Sequence, residues 1–215
     1  MAATAWIAER RASGVSTAEI NDADRHAFLG FVAERYLAIT SAAIRKYDPN
    51  HLLLGSRFNA YELDVEPVFA AAGRHLDVIA INYYRTWTPN QARMKRWVDW
   101  SGKPFLVTEW YAKGMDSGYT NMSGAGWTVK TQQDRGRFYQ NFALGLLESG
   151  GCVGWHWFKY MDNDPEDLTT DPSNRDSNKG IVTIRFEPYP AMLDMMKELN
   201  SQIYGLTNYF DARGR

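Results

Sequence analysis

The chain has 215 residues, of which 45% are hydrophobic, and it carries a formal net charge of −1 at pH 7. This length allows one sizeable domain with a hydrophobic core. The composition argues against a disordered chain, and the near-zero charge argues against a nucleic-acid-binding protein. A single cysteine, Cys152, excludes an internal disulfide and disfavours a cysteine-based metal site.

Residues 1–21 form a poorly defined N-terminal segment in this interpretation. Charged residues follow a very short apolar stretch there, which is not the pattern of a signal peptide. We find no apolar run that approaches the roughly 18 residues typical of a membrane span, so no membrane partner is expected. The location of the protein stays open, and a secreted or periplasmic parent protein is compatible with the sequence.

Helix and strand patterns alternate from residue 22 onward. Apolar residues recur at three- and four-residue spacing over 22–47, which predicts a long helix. The predicted strands are, in chain order, 52–58, 77–84, 105–111 and 152–159. Helices are predicted near 65–75, 90–100 and 132–149 between them, and over 189–204 after the last strand. Residues 205–215 would then be a tail.

This alternation predicts parallel strands joined by helices. All four strands end in polar or aromatic residues, as at the catalytic face of a (β/α)8 barrel. A doubly wound sheet is the structural alternative, but it usually places a glycine-rich phosphate loop after a strand, and no such motif is found. We therefore predict an α/β fold of the (β/α)8 TIM-barrel type over 22–204, of which only about the C-terminal half is present.

The third predicted strand delivers a carboxylate to its end. Phe105, Leu106 and Val107 form a short apolar run, and Glu109 follows with aromatic residues around it. A glutamate in this place can attack a sugar at its anomeric carbon. Taken alone, the pattern is equally compatible with a solvated or salt-bridged glutamate at a strand end.

Neighbouring strands add candidate partners for that carboxylate. Period-two alternation puts Asn82 and Tyr84 on one face of the second predicted strand. A tyrosine hydroxyl and a nearby arginine such as Arg57 would each favour a charged carboxylate. On the last strand we favour Trp157 as the ligand-facing tryptophan and Trp155 as a packing residue.

Other acidic residues are interpreted mainly as loop or helix-cap acids. They are Glu62, Asp64, Glu66, Asp162 and Asp164. Among them Asp162 is the best candidate for a substrate contact. The acids at 162–164 lack the spacing of an EF-hand, and the four histidines are scattered, so neither a metal site nor a cofactor is expected.

The glycine-rich loop over 113–129 contains Trp127, which we predict to lie on a sugar-binding rim. A solvent-exposed loop without a ligand is an equally weighted alternative.

Several short motifs occur together in one order. They are Tyr47–His51, Leu54–Phe58, Asp77–Ile79 leading to Asn82–Tyr84, Thr108–Trp110 and Gly154–Phe158. In combination they resemble the C-terminal half of clan A retaining glycoside hydrolases, and most closely those of the β-agarase type. The resemblance covers roughly residues 22–200.

The resemblance implies a role for each matching residue. Glu109 would be the nucleophile, and Tyr84 would donate a hydrogen bond to it. Arg57 and Asn82 would lie in the substrate site, and Trp157 would form the floor of a sugar subsite. The implied reaction is the retaining hydrolysis of β-glycosidic bonds in a polysaccharide or oligosaccharide, with an agarose-like galactan as the favoured substrate.

The chain departs from this pattern in one respect. The acid/base residue of the clan follows an asparagine in an Asn-Glu pair, and this chain contains no such pair. One hypothesis is a retaining glycosidase whose acid/base lies outside this chain. The other is a truncated or degenerate homologue that binds carbohydrate or self-associates without catalysis. The open edge at residues 51–58 would expose backbone groups, so a homodimer through that edge is a further expectation.

Overall fold

The computed structural model describes residues 2–17, 19–167, 169 and 175–213. The α-helices are Ala2–Ala12 (α1), Asp22–Arg45 (α2), Glu66–His75 (α3), Gln91–Ser101 (α4), Gln132–Glu148 (α5), Pro190–Ser201 (α6) and Ile203–Arg213 (α7). The strands are Ile79–Asn82 (β1), Phe105–Glu109 (β2), Ala112–Gly114 (β3), Trp127–Val129 (β4) and Cys152–Trp155 (β5). Short 3-10 helices cover Ala60–Asp64 and Met115–Ser117.

The main sheet is parallel and has the order β1-β2-β5. Helix α4 connects β1 to β2, and α5 lies between β2 and β5 along the chain. The three strands are short and largely apolar, as expected for parallel strands that helices cover. The predicted α/β fold with parallel strands and intervening helices is therefore confirmed for these elements.

The first predicted strand, 52–58, is reduced to a single parallel bridge between Phe58 and Ile81. It still runs beside β1, because Phe58 donates its N–H to Ala80 and accepts one from Asn82. Gly55 has a φ of 68°, which interrupts the extended backbone that a strand needs. The four predicted strands thus lie side by side in the expected order, but the outermost one is irregular.

The hydrophobic core lies between the sheet and its covering helices. Fully buried aromatic rings form much of it, and they pack face to edge and face to face. Trp97 contacts Tyr83 at 5.0 Å and Phe105 at 5.4 Å between ring centroids. Trp110 stacks on Phe142 at 4.3 Å. These contacts anchor α4 and α5 on the side of the sheet that faces the helices.

Helix α2 begins at a capping box, in which Asn21 and Asp24 each accept the other's backbone N–H. It packs against α3, with Gly30 directly over Pro67. By length and apolar composition alone, α2 could cross a membrane. The sequence expectation concerned a continuous apolar run, and α2 reaches this composition only as an average over 18 residues. One face of the helix is nevertheless tied to α3 and the following loops by contacts that include Glu34–Arg74 and Arg45–Asp77.

Both ends of the chain carry more regular structure than the sequence predicted. Residues 2–12 form α1, which contacts α2 through Trp6 and Phe28 at 5.2 Å. The predicted tail at 205–215 is mostly α7, which runs to Arg213, while residues 214 and 215 lie outside the described part. The glycine-rich loop at 113–129 starts and ends in a two-stranded parallel sheet of β3 and β4.

Close helix packing makes Gly73 a sensitive position. A Cβ atom there would lie 1.8 Å from the backbone oxygen of Ser101, at the end of α4. We expect Gly73→Ala to lower the free energy of unfolding by about 1–3 kcal/mol through overpacking, measured by urea denaturation. Gly205→Ala is the matched control, since nothing lies within 4 Å of its Cβ position. Equal stability of Gly73→Ala and the parent chain would contradict the packing described for α3 and α4.

Candidate active site

The candidate site lies where β1 and β2 end, and a register shift decides which side chains reach it. Ile81 pairs with Val107, but Asn82 pairs with Glu109, so Thr108 is an extra residue in β2. Such an insertion breaks the alternation of faces along a strand. As a result Thr108 and Glu109 both contact residues of the site, and Trp110 returns to the helix-facing core.

Glu109 is held by two donors. Tyr84 donates its hydroxyl to Oε2 at 3.0 Å, and Arg57 donates a guanidinium N–H to Oε1 at 2.5 Å. The Glu109 side chain is 14% exposed, whereas that of Arg57 is 55% exposed. The expected contacts of Glu109 with Tyr84 and Arg57 are therefore both present. One oxygen is fixed from the sheet and the other from the solvent side, which orients the carboxylate.

Tyr84 is a hydrogen-bond donor to Glu109 that keeps its own proton. Burial, followed by the negative charge of Glu109, raises the pKa of the Tyr84 hydroxyl well above its usual range. The phenol therefore stays protonated. Its contact with Glu109 is a hydrogen bond to an ionised acceptor, which is stronger than one between neutral groups.

Asn82 lies on the same face as Tyr84. Its Oδ1 atom accepts a hydrogen bond from the Thr108 hydroxyl at 2.8 Å, and that hydroxyl also lies 3.2 Å from the backbone oxygen of Ile81. Thr108 thereby links the two strands at the point where their register shifts. This contact fixes the Asn82 amide against Thr108, on the residue that pairs with Glu109 in the sheet.

An aromatic wall borders the site on the side of the last strand. Tyr111 contacts Tyr84 edge to face at 5.6 Å and Phe158 at 6.0 Å between ring centroids. The Lys179 ammonium lies 5.1 Å from the centre of the Phe158 ring and 5.7 Å from that of Tyr111. These are cation–π distances, and the Lys179 side chain is fully buried against the two rings.

Trp157 occupies a different place from the one predicted. Its ring contacts Trp110 at 5.2 Å and Tyr139 of α5 at 6.1 Å, and its indole N–H donates to the Lys179 backbone oxygen. These are contacts with the helix-facing core, so the structure does not bring Trp157 to Glu109. Phe158, on the opposite face of the strand, contacts the aromatic wall instead.

Trp127 lies in β4, near the end of β1. Its indole N–H donates to the backbone oxygen of Thr86 at 2.9 Å, and its ring meets Trp87 at 6.3 Å. Trp127 and Trp87 are 44% and 45% exposed. Gly126 packs directly on the ring of Tyr111, which connects this tryptophan pair to the aromatic wall.

Asp162 is a buried structural acid, which corrects the expectation that it contacts a substrate. It is 1% exposed, and its oxygens accept bonds from Asn178, the Gly180 N–H and the Tyr189 hydroxyl. The positive charge nearby comes from Arg135, whose own donors go to Ala112, Gln132 and Gly180. Each Asp162 oxygen thus accepts two hydrogen bonds from the protein.

Three of the other acidic candidates also have structural partners. Glu62 accepts the Asn59 N–H in a capping box, Asp64 pairs with Arg93, and Asp164 accepts the Glu166 N–H. Within the described ranges, no cluster of three or more His, Cys, Asp or Glu side chains could hold a metal ion. Glu62, Asp64 and Asp164 therefore each have a structural partner.

The sequence interpretation missed Thr108, Tyr111, Phe158 and Lys179. Thr108 and Tyr111 flank the Glu109–Trp110 pair, so the sequence shows that they are near Glu109. The side of the strand on which their side chains lie depends on the register shift. Phe158 was not named as a candidate, because the sequence interpretation favoured Trp157 on the opposite face of the strand. Lys179 comes from a distant loop, and no local pattern indicates its position.

Comparison with known proteins gives a consistent set of relatives. No model of a protein family matches the chain. It is 28% identical over 183 residues to β-agarase B of Vibrio sp. (strain JT0107), covering 83% of this chain and 18% of that protein. It is also 28% identical to β-agarase A of the same organism, covering 98% of this chain and 21% of that protein. The chain thus spans about a fifth of these curated relatives.

Solved structures agree with the sequence matches. The crystal structure of BpGH50 is 38% identical with a TM-score of 0.85, and the match covers 96% of this chain and 44% of that one. An exo-β-agarase structure is 29% identical with a TM-score of 0.76, covering 89% and 25% respectively. A β-glucuronidase from an uncultured Clostridium species, 19% identical with a TM-score of 0.55, shares the fold.

The buried acid network gives a direct stability test. We expect Asp162→Asn to lower the free energy of unfolding by about 1.5–3 kcal/mol, because hydrogen bonds to a charged acceptor are lost beside Arg135. Thermal and urea unfolding would measure the change. Asp194→Asn is the control, since that side chain is 75% exposed and should stay within about 0.5 kcal/mol of the parent. An Asp162→Asn variant as stable as the control would refute the structural role.

Proposed function

Because this chain is a partial homologue of the GH50 β-agarase-like glycoside hydrolases, we propose that it supplies the nucleophile of a retaining β-glycosidase acting on an agarose-like galactan. The observation that carries the proposal is the carboxylate of Glu109, fixed by Tyr84 on one oxygen and by Arg57 on the other. A nucleophile of this kind must keep one oxygen aimed at the anomeric carbon, and two donors on separate oxygens provide that orientation.

The reaction would proceed in two steps. A Glu109 oxygen attacks the anomeric carbon, the bond to the leaving oxygen breaks, and an acid on the other side of the sugar protonates that oxygen. Water then attacks the covalent glycosyl–enzyme, the same second carboxyl group accepts its proton, and Glu109 leaves as a carboxylate. The configuration at the anomeric carbon is retained.

The effect of Tyr84 and Arg57 on Glu109 would change between the two steps. When Glu109 forms its ester with the sugar, its negative charge disappears, and the hydrogen bonds that stabilised the charge weaken. The same two donors then favour the return of the charge when the ester is hydrolysed. Asn82, fixed by Thr108, would present its amide to a sugar hydroxyl near the reacting carbon.

The second carboxyl group would be supplied by a polypeptide segment outside these 215 residues. The retaining mechanism needs two carboxyl groups about 5 Å apart, and the acidic candidates Glu62, Asp64, Asp162 and Asp164 are engaged elsewhere. A complete (β/α)8 barrel would place an acid from another strand end opposite Glu109. We therefore expect negligible glycosidase activity from the isolated chain.

A neutral polysaccharide fits the surroundings of the site. The net charge of the chain is −1, and aromatic rings rather than clustered cations surround the strand ends. Flat rings such as Trp87 and Trp127 suit the apolar faces of sugars. The two Vibrio relatives are named β-agarases, which supports a galactan as the substrate.

A carbohydrate-binding homologue without catalysis is the second candidate function. The observation that favours it is the engagement of the candidate acids Glu62, Asp64 and Asp162 in structural contacts. In that case the chain would bind agaro-oligosaccharides through the same strand ends without forming a covalent intermediate.

A chimera tests the catalytic proposal. This chain would replace the matched part of BpGH50, and agarose hydrolysis would be measured by released reducing ends. We expect activity in the chimera, its loss in Glu109→Gln, and a decrease of about 10- to 100-fold in Tyr84→Phe from the lost hydrogen bond to a charged acceptor.

The controls separate chemistry from folding. Glu187→Gln, an exposed acid near the C-terminal helices, should leave the rate unchanged. A 2-fluoro-sugar inhibitor should label Glu109 in the active chimera, as shown by mass spectrometry of its peptides. Labelling that survives Glu109→Gln would assign the nucleophile to another residue. A folded chimera that binds agaro-oligosaccharides but never hydrolyses agarose would favour the non-catalytic alternative.

Trp127 should contribute to sugar binding more than to stability. Its ring is 44% exposed, so Trp127→Ala removes a stacking surface at little cost to the core. We expect weaker oligosaccharide binding by the chimera in isothermal titration calorimetry, with a small change in Tm. Tyr47→Ala, which removes an exposed ring after α2, is the matched control and should bind normally. A loss of Tm without a loss of affinity would make Trp127 a packing residue.

A further inference from the structure

Helix α2 runs against the direction of the strands and brings its first turns to the end of the sheet where the candidate site lies. Its last turn is at the other end, because Arg45 pairs with Asp77, which precedes β1. Earlier in the helix, Gly30 packs over Pro67 in the first turn of α3. The residues of α2 that precede Gly30, among them His26, therefore lie toward the carboxyl ends of the strands.

The ring of Tyr61 is attached to this part of α2. Its hydroxyl lies 2.5 Å from Nε2 of His26, and the two rings meet edge to face at 5.7 Å between centroids. Tyr61 is nevertheless 61% exposed. It belongs to the 3-10 helix Ala60–Asp64, which follows the strand segment that ends at Phe58. The ring is thus held at one edge while much of its surface faces solvent.

The backbone around Tyr61 is fixed as well. Asn59 and Glu62 form a capping box at the start of this short helix. Ala60, directly before Tyr61, has a φ of 50°, in the left-handed region that residues other than glycine rarely adopt. Such conformations persist where the surrounding contacts enforce them, and they cluster at ligand-binding and active sites. A side chain that is already immobilised also loses less conformational entropy when a ligand covers it.

Arg57 connects this segment to the reacting carboxylate. It precedes Phe58 in the same strand segment and donates to Glu109 at 2.5 Å. In the described part of the chain, the hydrogen bond and the ring contact of Tyr61 both go to His26. Tyr61 therefore suits a sugar unit beyond the one that reacts at Glu109.

We propose that Tyr61, held by His26, is a stacking platform for a neutral sugar ring at the rim of the candidate site. The inference rests on the proposed function, which supplies an agarose-like galactan as the ligand. A tyrosine ring offers an apolar face and a polar edge, so it can contact a sugar without carrying a charge. The platform is separate from Trp127, whose indole N–H is bound to Thr86 after β1.

Isothermal titration calorimetry with the 215-residue chain tests the platform, using agarotetraose and agaro-octaose as ligands. We expect Tyr61→Ala to bind agaro-octaose about 5- to 10-fold more weakly and agarotetraose almost normally, because only the longer ligand reaches the rim. His26→Ala keeps the ring but releases its edge, so the affinity for agaro-octaose should fall about 2-fold. Tyr47→Ala is the matched control, since Tyr47 is 81% exposed and follows the last turn of α2 at the other end of the sheet.

The outcomes separate the platform from catalysis. An affinity of Tyr61→Ala for agaro-octaose equal to that of Tyr47→Ala would overturn the platform, as would a parent chain that binds neither ligand. A lower Tm of Tyr61→Ala, together with an equal loss of affinity for both ligands, would make Tyr61 a structural residue instead. In the BpGH50 chimera, length-dependent binding through Tyr61 without labelling of Glu109 would overturn the proposed function and leave the platform in place. Labelling of Glu109, with normal agaro-octaose binding by Tyr61→Ala, would do the reverse.

Discussion

One extra residue in β2 determines the chemistry available at the strand ends. With regular pairing over this sequence, Glu109 would continue the face of Phe105 and Val107 and enter the aromatic core. A carboxylate there would lose its hydration with no cation to compensate, at a cost of several kcal/mol. The insertion turns Glu109 toward two donors and returns the next aromatic ring to α5. The position of the acid and the integrity of the core therefore depend on the same local irregularity.

Loops that surround the site are held by buried polar groups rather than by apolar packing. Arg135 projects from α5 and donates to the backbone oxygens of Ala112 and Gly180. Burial lowers the pKa of its guanidinium to about 10, so it still carries a charge at neutral pH. Lys113 similarly donates to the oxygens of Asn121 and Ser123 inside the glycine-rich loop. Cations with fixed carbonyl partners keep these glycine-rich segments in one conformation.

Sequence reasoning predicted the helices and strands that have strong periodicity, and it predicted the polar residues at the strand ends. The helix that became α5, the strand ending at Glu109 and the proximity of Tyr84 all follow from local patterns. The predictions for Trp157 and Asp162 were wrong because they depended on residues that are distant in the sequence. The face of Trp157 depends on how β5 pairs with β2, and the burial of Asp162 depends on Asn178 and Tyr189, which are distant in the chain. In a sequence, an acidic loop residue that is bonded to buried donors looks the same as one that contacts a substrate, because the donors are distant in the chain.

The network around Asp162 also bears on the order in which the chain folds. Asn178 accepts the N–H of Gly114, 64 residues earlier, and Tyr189 reaches Asp162 across 27 residues. Closing loops of this length costs chain entropy before any contact repays it. The β1–β2 pairing joins residues 26 apart, such as Ile79 and Phe105, and can form without the 64-residue closure. The rim of the site is then expected to be the last part to acquire its native arrangement, and the first to open when the protein fluctuates.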